Sequence, residues 1–166
     1  MKRPDGKMYK DVHSGTSLPP IDKTALETYL EGFGVKLGDK PKELYDNRYL
    51  SYVRGANVDE KYYFRSKCHA EMRKDITYLV DAVVDKDGVV LEGQCECGAG
   101  MGPEAHCKHV QTLIYAIIQL RDTNAIKTLQ TCTDTLQTFH KVKRPTGSPV
   151  KTENFKLGPT DSQFYF

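Results

Sequence analysis

Leu26, Tyr29, Leu30 and Phe33 recur at helical spacing between Asp22 and Gly34, which predicts a helix over residues 22–33 with Asp22 as its cap. A second, shorter helix is expected over Lys40–Asp46, with Pro41 in its first turn. The period then changes from helical to alternating. Residues 49–55 are rich in strand formers. Residues 61–69 alternate strictly, with Tyr62, Phe64, Ser66 and Cys68 on one face and Lys61, Tyr63, Arg65 and Lys67 on the other. Residues 75–84 form the most apolar strand, with Ile76, Tyr78, Val80, Ala82 and Val84 on one face. Asp87-Gly88 signals a tight turn, and residues 89–95 return as the second arm of a hairpin. Helical period resumes from Cys107 to Arg121, where Val110, Leu113, Ile114, Ile117 and Leu120 or Ile118 make an apolar stripe. A last short helix is expected over 124–138.

These elements predict an α+β fold, a small antiparallel sheet covered by helices on one face. Its boundaries follow from composition. Residues 1–20, polar and ending in Pro19-Pro20, read as a flexible basic leader, 21–140 as one domain, and 141–166 as a basic arm or tail with Pro145, Gly147 and Pro149. At 166 residues and a mean hydropathy of −0.56, one soluble domain with tails is the expectation. Neither a membrane span nor a secretory leader is read from the chain, and the cysteines do not suggest a disulfide framework, so a reducing compartment is expected.

Chemistry concentrates in one place. Cys95 and Cys97 stand one residue apart at the end of the hairpin, and Cys107 and His109 one residue apart at the start of the following helix. Three thiolates and an imidazole are the donor set of a closed, tetrahedral structural zinc site. In a strand, residues i and i+2 share a face, so both cysteines of the first pair could reach one ion. The connector, Gly98 to His106, holds three glycines and a proline and can fold back tightly. Ordinary buried cysteines are the plain alternative. A redox pair is disfavoured because such pairs usually read C-x-x-C at a helix start, and a thiolate in a four-ligand zinc site is not free to act as a nucleophile. His106 competes with His109 as fourth ligand but falls in the loop rather than on the helix. Cys68 reads as core and Cys132 as packed or partly exposed. No serine–histidine–aspartate order, phosphate loop or paired carboxylate stands out, so an enzyme is not expected.

The pattern Cys95-x-Cys97, nine residues, Cys107-x-His109 resembles the SWIM-type zinc finger, CxCx(n)CxH on a β-β-α unit, with a zinc core over about 75–121. Tyr63-Phe64-Arg65, Cys95 to Pro103, Thr131-Cys132-Thr133 and Leu136 to Lys141 are similar to invertebrate SWIM proteins, in some of which this region precedes a YqaJ-type viral recombinase domain. The resemblance selects His109 as the fourth ligand. It implies zinc, a nuclear location and a role in binding DNA or other proteins. The chain ends before such a nuclease would begin, so no catalytic residue carries over.

Charge refines the choice of partner without deciding it. Residues 1–17 carry a net charge of +2 and 140–166 a net of +3, so a chain of net +2 has a central body at −3. A nucleic-acid binder is usually basic throughout. Yet residues 48–74 hold Arg48, Arg54, Lys61, Arg65, Lys67, Arg73 and Lys74 against Asp59, Glu60 and Glu71, a local net of +4. Lys61, Tyr63, Arg65 and Lys67 on one strand face, with Arg73 and Lys74 beyond it and Lys141, Lys143 and Arg144 in the tail, are the candidate phosphate and base contacts. The plain alternative is the solvated side of a half-buried sheet. A DNA-binding accessory domain and a module recruiting a recombinase, nuclease or chromatin partner are the two expectations.

Overall fold

The computed structural model describes residues 3–73 and 75–129. Five antiparallel strands run in simple sequential order, β1 (Lys10–Asp11), β2 (Leu50–Val58), β3 (Lys61–His69), β4 (Thr77–Asp85) and β5 (Val90–Cys95). Three helices, α1 (Lys23–Glu31), α2 (Lys40–Asp46) and α3 (Lys108–Thr123), complete an α+β fold. No helix among the described residues is long and apolar enough to cross a membrane.

The alternation of β3 sets the two faces of the sheet. Phe64, Ser66 and Cys68 point inward and are buried, and their partners on β4 are Ala82, Val80 and Tyr78. Against this inner face lies α3, whose Val110, Leu113, Ile114 and Ile117 are fully buried. Residues 109–114 are buried without interruption, because α1 and α2 pack on the sides of α3 that the sheet leaves uncovered. A helix apolar nearly all round is what such a central position requires. Tyr45 of α2 meets Tyr115 of α3 edge to face, ring centroids 5.5 Å apart.

Local chemistry fixes the helix ends. Asp22 accepts a hydrogen bond from the Ala25 N–H at 2.8 Å, capping α1 as its sequence predicts. Changing Asp22→Ala leaves that donor without its acceptor and is expected to cost about 1 kcal/mol in a urea titration, with the denaturant slope unchanged. The helix expected over 124–138 does not form where the structure describes it. Asn124 adopts the left-handed conformation (φ 54°) and ends α3, a position asparagine tolerates. Downstream N–H groups then go to distant partners, Lys127 to the Tyr45 hydroxyl at 3.1 Å and Leu129 to the Leu50 carbonyl at 2.7 Å. Residues 130–138 of that expected helix lie outside the described residues.

The segment read as a leader joins the fold instead. Lys10 and Asp11 pair with Gly55 and Arg54, the Val12 N–H donates to the Val53 carbonyl at 3.0 Å, and Val12 is buried. Before them a 3₁₀ turn, Gly6–Met8, is closed by Asp5 accepting from the Lys7 N–H at 3.0 Å.

Candidate metal centre

The ligand atoms of Cys95, Cys97, Cys107 and His109 lie within 4.8 Å of one another, and all four residues are buried. Cys95 is the last residue of β5, and Cys107 is the N-cap of α3 with His109 in its first turn. Cys97 arrives differently from the strand geometry expected of it. The strand ends at Cys95, and the chain turns about the Cys95 sulfur. The Cys97 N–H points to Cys95 Sγ at 3.5 Å, the Gly100 N–H donates to the Cys97 carbonyl at 2.8 Å, and the Cys95 N–H to the Gly100 carbonyl at 2.8 Å. A turn, rather than strand alternation, aims the second sulfur.

Gly100 shows how tightly this turn is wrapped. A Cβ there would stand 2.5 Å from Cys95 Cβ, 3.0 Å from Cys107 Sγ and 3.1 Å from Cys97 Sγ. In the sequence this residue is only one glycine among three; the contact to the sulfurs requires the fold.

The donor set fits zinc. Cys95 Sγ lies 3.7 Å from His109 Nδ1. Zinc–sulfur and zinc–nitrogen bonds of about 2.3 and 2.0–2.1 Å at a tetrahedral angle place such atoms about 3.6 Å apart. Electrostatics point the same way. A hydrogen bond from the Cys95 thiol, opposed by burial, holds Cys107 down to about 4, while that same bond and burial drive Cys95 upward. Burial also raises Cys97, helped by the charge on Cys107. A divalent ion among these three sulfurs would let all of them be thiolates. Cys95, Cys97, Cys107 and His109 would hold the ion, which would tie the end of β5 to the start of α3.

The surrounding residues brace this knot. The Tyr29 hydroxyl of α1 donates to the Ala105 carbonyl at 2.8 Å, and burial pushes that phenol up to about 12, so it remains a donor. His106, the rival ligand, stacks on Phe33 at 4.5 Å instead and takes no part in the cluster. Gln111 Nε2 donates to the His106 carbonyl at 2.7 Å. Between the two helix ligands, Lys108 pairs with Glu71 at 2.5 Å, and Lys40 pairs with the other Glu71 oxygen at 2.6 Å. Hydrogen bonds from Lys108 and Lys40 hold the Glu71 carboxyl at about 2. A depressed carboxylate stabilises above its unfolded value and loses this as pH falls, so the clamp is intact at neutral pH. Neither Tyr29 nor Glu71 carries a motif that marks it as part of the site. The far edge of β5 is also engaged: Gly93 N–H donates to the Pro103 carbonyl at 3.0 Å and Ala105 N–H to the Gly93 carbonyl at 2.9 Å.

The expected nucleic-acid residues are placed less favourably. Lys61 and Lys67 are exposed on the outer face, with Tyr63 half-buried between them. Arg65 is on the same face but bonds Asp81 at 2.7 Å, its side chain only 20 % exposed. Arg73 pairs with Asp75 at 2.9 Å, and Arg54 with Asp11 at 2.8 Å. Lys74, Lys141, Lys143 and Arg144 lie outside the described residues, as does Cys132, while Cys68 is fully buried as expected.

No family model, curated protein or solved structure matches this chain.

Proposed function

We propose that this chain is a zinc-stabilised, non-catalytic binding domain of the SWIM type, and that its partner is another protein. The Cys95-x-Cys97…Cys107-x-His109 cluster supports the zinc reading, because four protein donors around one point leave no coordination position for substrate. The choice of partner rests on one observation. Arg65, the central cation of the basic strand, is held by the buried Asp81 and its side chain is only 20 % exposed, so it is less available to a phosphate than its sequence suggests. A nuclear location and a recombinase, nuclease or chromatin partner follow from the resemblance to SWIM proteins.

DNA binding is the second reading, favoured by exposed Lys61 and Lys67. The two are separated by electrophoretic titration against single- and double-stranded DNA at low and physiological salt. The protein reading expects no retardation at low-micromolar protein and physiological salt. Retardation whose logarithmic salt slope approaches −2, at about −0.9 per phosphate on duplex DNA, and which flattens in the Lys61→Ala/Lys67→Ala variant, would overturn it.

A further inference from the structure

The helices all serve the inner face, yet the outer face of the sheet is also partly buried. Val83 is 3 % and Asp81 2 % exposed, and Ala56 is buried too. Val83 and Ala56 stand outside the main core cluster. The register sets Ala56, Tyr63 and Val83 in one row across β2, β3 and β4, and Arg54, Arg65 and Asp81 in the next. A buried carboxylate on an otherwise half-solvated face demands cationic partners. It has one from within the sheet, Arg65. The other comes from the segment Arg3–Tyr9, which reaches across this face: Arg3 Nη2 lies 2.8 Å from Asp81 Oδ2. The same segment lays the Tyr9 ring against Arg65, guanidinium to centroid 4.6 Å. Its 3₁₀ turn, closed by Asp5, spaces those two side chains.

The segment is weakly held. None of residues 3–9 is buried, and the strand that follows is two exposed residues long. Its grip on the outer face is an arginine on a carboxylate and an aromatic ring on a guanidinium, contacts that any polypeptide with those groups can make. We propose that the outer sheet face around Asp81 and Arg65 is a docking surface for a polypeptide segment that carries an arginine followed at similar spacing by an aromatic residue, and that Arg3–Tyr9 occupies it in cis. This rests on the protein-partner reading and gives that partner its chemistry. A tethered occupant acts at an effective concentration of about millimolar, so an outside segment competes only when it binds better or when the tether's contacts are weakened.

The test uses a synthetic peptide of residues 1–12 as probe, followed by amide chemical shifts of the zinc-loaded full chain. The parent is compared with an Arg3→Gln/Tyr9→Ala variant, which alters only unburied side chains; unchanged shifts in α3 show that its fold is kept. The peptide is expected to bind the variant roughly tenfold more tightly than the parent, shifting amides near Arg65, Asp81 and Val83. A peptide with its own arginine replaced by glutamine should lose this binding. Equal binding to parent and variant, indifference to the peptide's arginine, shifts confined to the helical side, or no binding to the variant would each overturn the proposal. A thymidine 12-mer added in parallel separates the readings. If it shifts the same amides in the variant while the peptide does not, the face belongs to nucleic acid and both the docking proposal and the protein reading fall. If neither ligand binds there, the docking proposal alone fails, and the DNA titration still decides the partner class.

Discussion

Changing Cys97→Ser is expected to strip the protein of bound metal and to loosen α3 from the sheet. Purified parent protein should hold one zinc per chain by elemental analysis, and the variant essentially none. Outer-shell partners alone are worth 10- to 100-fold in metal affinity, so loss of a ligand should exceed about 100-fold. In small zinc fingers metal binding amounts to roughly 10–16 kcal/mol and is inseparable from folding. Here Phe64, Leu113, Ile114 and Ile117, none of them one of the four cluster residues, are buried as well, so partial structure should persist. A stability loss on the order of 5 kcal/mol, and a fall in melting temperature of roughly 10–20 °C, is expected by circular dichroism. Well-folded parent protein with substoichiometric zinc, or a Cys97→Ser variant that keeps its metal and its melting temperature, would refute the assignment.

Gly100→Ala should reproduce much of this effect without touching a ligand. Its added methyl meets Cys95 Cβ at 2.5 Å and two of the sulfurs at 3.0 and 3.1 Å. The turn can yield only by moving the Cys95 and Gly100 backbones that bond one another. Overpacking of this kind typically costs 1–3 kcal/mol, and here the displaced atoms are the metal's own donors. Zinc content should fall well below one per chain, with a melting temperature several degrees lower. Gly98→Ala, two residues away, is the control, since nothing lies within 4 Å of its added methyl. Equal zinc retention by the two variants would show that the close approach at Gly100 does not matter to the site.

The contrast between these glycines shows where sequence reasoning stops. The four residues that cluster, Cys95, Cys97, Cys107 and His109, were legible because paired donors on either side of a glycine-rich connector seldom coincide by chance. So were β3, whose alternation is uninterrupted, and α2, whose limits agree with the expected Lys40–Asp46. What one-dimensional pattern could not carry was anything set by long-range pairing. Lys10–Asp11 has no strand signature, and becomes a strand because β2 offers an edge at Arg54 and Gly55. Residues 124–129 looked helical until Tyr45 and Leu50 offered their N–H groups other partners. Arg65 read as a free cation because Asp81, sixteen residues on, faces it only through the β3–β4 register. Sequence also suggested strand geometry for Cys97, whereas a turn about its neighbour's sulfur does the aiming.

The hydrogen bonds that join Pro103 and Ala105 to Gly93 have a consequence beyond holding the metal loop. The four long strands, β2 to β5, end in two outer rows of backbone groups able to template another chain. One row, on β2, is partly occupied by β1. The other, on β5, is occupied at Gly93 by the very loop that the four ligands tie down. Losing a bound ion is therefore expected to do more than slacken a fold. It frees an edge flanked by exposed Val89 and Leu91, a short apolar stretch of high β propensity. A metal-starved chain is therefore expected to present the kind of surface on which strands of separate molecules join, which light scattering after chelation would register.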